Sequence, residues 1–387
     1  MQRSTDRILT THAGSLPRPP DILQMIRAKS RGEAVDERVL GSRVREAVAE
    51  VVRRQADTGL DVIDDGEFGK PSFVTYVRDR LGGLEAQGLR PNAWLSSREA
   101  VSFPDYYTAQ ETASPRARQV QMACTAPLTY QGQAALRTDL DNLKDALKGV
   151  EVADAFVPCI SPANIEDWNE NRYYKSDEEY LFAIADAMNV EYKAIVDAGF
   201  LVQVDDPRLV SYYLMNPRMT IEDIRKWAAQ RVEALNHALR GIPTEKIRYH
   251  TCYSINMGPR VHDLEVKHII DILMKIRAGA FSFEASNPRH EHEWAVWKEV
   301  KLPDGTVLIP GVITNSSVLV EHPELVAQRI LRYADFMGRE NVIAGTDCGF
   351  ASFAGSDEVH ASIVWAKMEA MVQGAEIASR KLWGRSS

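Results

Sequence analysis

The sequence predicts a single (β/α)8 barrel, a TIM-type α/β fold running from 1 to 387. Three observations predict it. One local order, helix then glycine then short apolar strand then polar loop, recurs along the chain. Counting those strands gives the eight that close a barrel. No glycine-rich dinucleotide fingerprint follows the first strand, which argues against a doubly wound open sheet.

In order, Ile8–His12 reads as the first strand, running into the turn-rich Ala13-Gly14-Ser15-Leu16-Pro17-Arg18. A helix over about Glu37–Asp57 carries Val44, Val48, Val51 and Val52 at helical spacing, stops at Gly59 and leads into the strand Leu60–Asp65. Ala155–Cys159 is the third strand. Ser176 and Glu179 form a capping-box signature for a helix that ends at Gly199, ahead of the strand Leu201–Asp206. A helix over Ile221–Leu239 precedes the strand Ile247–Cys252, and a helix over Leu264–Ile276 precedes Ala280–Glu284. Val307–Val312 and Val342–Asp347 complete the set, with a helix over Glu324–Phe336 between them and a closing helix over Asp357–Trp383. Residues 84–130 do not fit the repeat and read as an inserted hairpin or excursion over one barrel face.

Composition narrows the function. Hydrophobic residues are 45% and charged residues 26% of the chain, a globular balance, and the net charge of −8 argues against nucleic acid as a partner. The polar start has no signal-peptide core, and no apolar run approaches the roughly 20 residues that span a bilayer, so the expected location is the cytoplasm. Four cysteines, Cys124, Cys159, Cys252 and Cys348, are too few for a disulfide framework.

Barrel enzymes carry their chemistry at the carboxyl ends of the strands. Those ends hold His12, Asp65, Glu67, Asp205, Asp206, His250, Cys252, Glu284, Asp347 and Cys348. His250 and Cys252, two apart on one strand, share a face. With Glu284 and Cys348 they form a donor set of the type that binds Zn²⁺. The alternative, cysteines that fill core volume, is the common fate of a lone thiol. His290 and His292 beside Glu291 and Glu293 suggest either a second metal position or a rim loop that shapes the pocket.

Together these pieces resemble the catalytic half of cobalamin-independent methionine synthase, in its short, single-barrel group. The resemblance rests on Thr10–Arg18, Asp61–Glu67, Ser161-Pro162 with Trp168, Val204–Pro207, His250–Ser254, Phe283-Glu284 and Asp347-Cys348-Gly349. It implies a zinc held by His250, Cys252, Glu284 and Cys348, with Glu284 as the exchangeable ligand. It implies a homocysteine site at Gly14, Ser15, Glu67 and Asp205, and a pterin platform at Trp168.

The sequence departs from that pattern at several points. It lacks the N-terminal barrel that helps full-length enzymes hold the folate tail, which leaves methyl-tetrahydrofolate or a methylcorrinoid protein as donor. Ser316 stands where the family has a catalytic histidine, Asp206 is one methylene shorter than the family's glutamate, and His12 is an added imidazole. The catalytic candidates are therefore His12, Asp205 and Ser316. The expected activity is transfer of a methyl group to homocysteine. Addition of a zinc-activated thiol to an epoxide, as in epoxyalkane:coenzyme M transferase, is the alternative, for which Arg18, Lys70, Arg208 and Arg289 are the basic groups near the motif loops. A zinc- or thiol-binding protein without turnover is a third reading. A homo-oligomer is compatible with all three.

Overall fold

The computed structural model describes residues 1–90, 92–113, 120–253, 258–354 and 359–384. Its strands in chain order are β1 (Leu9–Thr10), β2 (Val62–Ile63), β3 (Leu81–Leu89), β4 (Val120–Tyr130), β5 (Asp154–Ile160) and β6 (Asn169–Asn171). They continue with β7 (Leu201–Asp205), β8 (Ile247–Thr251), β9 (Ala280–Phe283), β10 (Val307–Ile313) and β11 (Ile343–Thr346).

Eight of them form one sheet in the order β1-β11-β10-β9-β8-β7-β5-β2, with all pairings parallel. A parallel bridge from Thr11 to Val62 brings the two edges together, and the sheet becomes a (β/α)8 barrel. Burial on both faces is why these strands read as unbroken apolar runs rather than alternating ones. At the base, Val62, Phe156 and Leu201 pack as one small cluster, and Leu9, Ala280, Val307, Ile309 and Ile343 as another.

Around the barrel run the expected helices. Glu37–Thr58 is capped by the Asp36 carboxylate and terminated by Gly59 at φ 95°, a left-handed conformation that glycine adopts freely. Asp177–Asp197 starts at Ser176, whose Oγ accepts from the Glu179 N–H. Only half of the predicted capping box forms there, because Glu179 accepts from the Lys175 N–H instead. The full reciprocal box belongs to Ile221–Ala238, between Thr220 and Asp223. Pro323–Met337 and Ala361–Trp383 pack against each other and close the ring.

Two segments differ from expectation. Leu264–Ile276 is not one helix: a 3-10 turn (Val266–His268) and a single turn of α-helix (Ile270–Leu273) replace it. The Tyr253 hydroxyl donates to the Leu264 carbonyl, which the first turn of such a helix would use, and the Val266 N–H donates to Glu293. The closing helix starts at Ala361 rather than Asp357, and positions 357–358 of the expected helix lie outside the described residues.

The inserted segment is a twisted antiparallel pair, β3 with β4, extended by β6 into a three-stranded sheet. It is anchored to the barrel by a buried polar knot on Glu191. That carboxylate accepts from the Tyr76 and Tyr130 hydroxyls at 2.8 and 2.7 Å and pairs with Arg80 at 3.2 Å.

Candidate active site at the carboxyl rim

His250 is the next-to-last residue of β8, and Cys252 follows two positions on, on the same face. Cys348 comes from the turn after β11. One ligand atom from each lies within 4.8 Å of the others, all three residues are buried, and the two sulfurs are 3.2 Å apart. Among the described residues no other group of three or more His, Cys, Asp or Glu converges in this way.

The imidazole is prepared for a cation. Burial, and then the charge of Arg248, push its pKa down to about 3, so it is neutral at physiological pH. Its Nδ1 lies 3.0 Å from Ser282 Oγ, directly across the β8–β9 ladder, while the buried Nε2 has no hydrogen-bond partner. With Nδ1–H donating to the serine hydroxyl, Nε2 presents its lone pair toward whatever fills the site. A neutral imidazole and two adjacent thiols suit a borderline-soft divalent metal better than a hard one. The residues present therefore fit the group that the motif implied.

Glu284 does not join them. Its Oε1 accepts from the Tyr253 N–H at 2.7 Å, and its Oε2 accepts from Arg260 Nη2 at 2.7 Å and Asn287 Nδ2 at 2.8 Å.

A cleft of about 390 Å³ opens beside the three ligand residues, and its walls include Ser15, Glu67, Phe73, Asp205 and Pro207. The strand ends explain the convergence. After β1, Gly14 takes φ 124°, and a Cβ there would sit 2.8 Å from Pro158 Cγ, so only glycine lets the loop turn against β5. Ser15 is then tied to the Cys348 loop, its carbonyl accepting from the Phe350 N–H at 2.9 Å. After β2, Asp64 accepts from the Gly66 N–H and Asp65 from the Glu67 N–H, both at 2.8 Å. These bonds hold Glu67 at φ 59°, a conformation rare outside glycine. Arg18 locks the turn by donating to the carbonyls of Glu67 and Lys70 at 2.9 Å and of Ala351 at 2.8 Å. Arg18 is thus a structural clasp, its two terminal nitrogens bonded to backbone carbonyls.

Two carboxylates face the cleft in different states. Glu67 is 3.2 Å from the Lys70 ammonium. Burial works against charge on Lys70, but Glu67, Cys159 and Asp65 outweigh it and hold its pKa above the ordinary value. Asp205 accepts only from Gln203 Nε2 at 2.8 Å, and burial, then the charge of Glu67, drive its pKa well above the usual carboxylate range. An acid held up by a neighbouring anion is a place where a cation binds with gain. Asp206 turns away, its Oδ1 accepting from Asn164 at 2.9 Å; burial lifts its pKa to about 6.

The remaining predicted residues sit around the cleft. His12 lies beneath it, buried, its Nδ1 accepting from the Gly14 N–H at 3.1 Å and its Nε2–H donating to Gln55 at 2.7 Å. Burial pushes its pKa down to about 4. Ser316 pairs with the Thr314 hydroxyl at 2.8 Å and is not part of the cleft wall. Trp168 is reached through Phe73 and Phe353, whose rings are 5.7 Å apart, and Phe353 is 6.1 Å from the indole. The Arg90 guanidinium already lies 4.4 Å over the indole. His290 is no metal ligand: hydrogen bonds to Asp263 and Glu293 outweigh its burial and push its pKa up to about 9, which makes it a cation, and His292 is exposed.

Residues that sequence reasoning missed are Ser282, Arg260, Asp263, Asn287 and Lys70 in its pairing role. Ser282 was findable, because strand alternation puts it on the face of Glu284. Arg260 lies in a loop that follows no strand pattern.

The family model for the cobalamin-independent synthase catalytic domain matches residues 8–376. The chain belongs to this family. Among similar proteins, the methionine synthase of Thermococcus kodakarensis is 26% identical over 377 residues, covering 96% of this chain and 94% of that protein. The methionine synthase of Sulfurisphaera tokodaii is 25% identical over 374 residues, covering 96% and 93%. A B12-independent methionine synthase from a Shewanella species, solved with selenomethionine, superposes with a TM-score of 0.74 at 19% identity, over 98% of this chain and all of that one. A Listeria monocytogenes structure described as a vitamin-B12-independent methionine synthase gives 0.66 at 18%, over 96% and 98%. These two structures share the barrel. Among the described residues, no helix is long and apolar enough to cross a membrane.

Proposed function

We propose that this barrel transfers a methyl group from methyl-tetrahydrofolate or a methylcorrinoid to the thiol of homocysteine, giving methionine. One observation carries the reading: a cleft that joins a His-Cys-Cys metal position to two buried carboxylates, one of which, Asp205, makes no salt bridge among the described residues. A thiol with an ammonium group on the same small molecule matches both ends. Family membership and the names of the relatives support the same reaction.

Zinc held by His250, Cys252 and Cys348 would lower the pKa of the substrate thiol and keep it as a nucleophilic thiolate at neutral pH. The protein does the rest. Glu67 and Asp205 bind the ammonium, whose positive charge offsets the burial and the Glu67 repulsion that disfavour an ionised Asp205. Ser15 Oγ is positioned to donate to the substrate carboxylate. Phe73 and Pro207 give the aliphatic portion an apolar wall and exclude water from the attack line. With methyl-tetrahydrofolate the proton lost by the thiol balances the one that the leaving N5 gains; with a methylcorrinoid the cobalt leaves as Co(I) with the electron pair of the Co–C bond, and the thiol proton is released to solvent.

Zinc-loaded protein incubated with homocysteine and either methyl-tetrahydrofolate or methylcobalamin should form methionine with at least one donor. Absence of methionine with both, from protein carrying full zinc, overturns the reading. If the folate donor works by stacking on Trp168, Arg90 has to move, so Arg90→Ala should lower its KM.

Two smaller predictions arise here. A Cβ at Gly349 would fall 2.1 Å from Ser15 Oγ, so Gly349→Ala displaces that hydroxyl. Losing a hydrogen bond to a charged group is worth about 2 kcal/mol, so KM for homocysteine should rise roughly tenfold or more with kcat less affected. His12, neutral and committed at both nitrogens, positions the Gly14 turn. Asparagine can offer an oxygen where Nδ1 accepts, and His12→Asn should keep kcat/KM within about tenfold. A loss beyond a hundredfold in a folded His12→Asn protein would return His12 to the role of proton donor.

A further inference from the structure

Between the cleft and the apolar base, the barrel interior carries polar side chains where branched apolar ones are usual. Gln203 and Arg248 are paired across the β7–β8 ladder, and Asp64 follows directly on β2. All three are fully buried. The Arg248 guanidinium rests 3.9 Å over the ring of Phe156, which belongs to the base cluster.

These side chains grip one stretch, Thr11–Gly14. Arg248 donates through Nη1 to Thr11 Oγ1 and through Nη2 to the His12 carbonyl, both at 3.0 Å. Gln203 Nε2 donates to the Ala13 carbonyl at 2.7 Å and to Asp205 Oδ1 at 2.8 Å. Both amide protons of Gln203 thus meet acceptors, which fixes the way its amide points. Asp64 Oδ1 lies 3.6 Å from His12 Nε2, and Asp64 Oδ2 would lie 3.5 Å from a Cβ on Gly14.

One atom of each side chain is left over. Arg248 Nε, Gln203 Oε1 and Asp64 Oδ2 are buried with no hydrogen-bond partner among the described residues. Unpaired buried donors and acceptors are costly, and internal water is their common remedy. One donor and two acceptors match a water molecule, which can accept once and donate twice. A cation would be repelled by the Nε–H, and an anion by the two oxygens.

We propose that a buried water joins Arg248 Nε, Gln203 Oε1 and Asp64 Oδ2, and that Gln203, held by this water, is the positioning residue that aims Asp205 at the substrate ammonium. The role of Gln203 rests on the homocysteine reading; the water does not. Gln203 bonds Asp205 at the end of β7 and Ala13 in the turn after β1. It therefore keeps one spacing between Asp205 and the Gly14-Ser15 side of the cleft.

Two measurements test this. A crystal structure of zinc-loaded protein, fine enough to place ordered water, should show one oxygen within about 3.2 Å of all three atoms. An ion there, or direct contacts among the three side chains without water, would overturn the proposal. The second measurement is calorimetric binding to zinc-loaded wild type and Gln203→Met, with no methyl donor present. The ligands are homocysteine and γ-mercaptobutyrate, the same thiol acid without its ammonium. Gln203→Met should bind homocysteine roughly tenfold more weakly, as for one lost hydrogen bond to a charged group, and γ-mercaptobutyrate within about threefold of wild type. Equal losses for both thiols in folded Gln203→Met would leave Gln203 a support of the fold alone and overturn its assignment. If Gln203→Met does not fold, Gln203→Asn, one methylene too short to reach both acceptors, is judged by the same ratio. A wild type that binds both thiols equally would sink the ammonium reading and the role of Gln203 with it, while the water stands or falls on the crystal structure.

Discussion

Cys348→Ser and Cys252→Ser should each lower zinc content well below one ion per chain and reduce methionine formation at least a thousandfold, about 4 kcal/mol of transition-state stabilisation. Each cysteine would supply one of the two thiolates beside His250, and a serine hydroxyl stays protonated at neutral pH and binds zinc weakly. The sulfurs lie 3.2 Å apart at the ends of β8 and β11, so neither can be replaced by a neighbour. Cys124 and Cys159 serve as controls: Cys159 donates to Glu191 at 3.3 Å in the knot under the inserted sheet. Serine there should leave zinc content unchanged. Full zinc occupancy in both Cys252→Ser and Cys348→Ser, measured by elemental analysis of purified protein, would refute the metal assignment. Chelator treatment of wild type should reproduce the loss of activity, and added zinc should restore it.

What could be read from the chain follows from how each feature is encoded. Barrel strands announce themselves because burial on both faces demands an apolar run, and the glycine before each strand marks where a helix ends. Their carboxyl ends are therefore legible to within two residues, and His250, Cys252, Cys348, Glu67 and Asp205 could be placed on one rim. The segment expected as one helix over Leu264–Ile276 is instead tied to distant groups: Tyr253 bonds the Leu264 carbonyl and Glu293 the Val266 N–H, contacts that helical periodicity does not encode. The hydrogen-bond partners of Glu284 were hidden in a similar way. Its position at the end of β9 was legible, but its partner is an arginine on a loop after β8, held by a carboxylate from the inserted segment. Side-chain period and strand order carry no information about such a contact. His12 and Ser316 were nominated because they differ from a pattern, and a difference in residue type does not reveal which hydrogen bonds that residue makes.

Glu67→Gln and Asp205→Asn should separate binding from stability in opposite directions. With homocysteine, each should lower kcat/KM about a hundredfold or more, since removing one partner of a buried, charge-assisted pair costs about 3 kcal/mol. A thiol without an ammonium group, such as coenzyme M, should lose far less; equal losses for both thiols would refute the assigned role. Stability should move the other way for Asp205→Asn. The folded-state pKa of Asp205 lies well above its unfolded value because burial, and then Glu67, disfavour its charge. In the window between the two pKa values the native state binds more protons than the unfolded chain, so stability falls as pH rises through it. That cost is complete above the raised folded pKa and absent below the unfolded one. Asparagine cannot ionise, so Asp205→Asn should raise the stability of the free protein at alkaline pH by about 1 kcal/mol and flatten its fall with pH, as read from urea midpoints between pH 4 and 9. Homocysteine should act as a stabilising ligand for wild type and lose that effect in the variant, because its ammonium neutralises the same charge that the substitution removes. A variant that loses activity and stability together would show that Asp205 supports the fold at the end of β7, and its place in the ammonium site would fall.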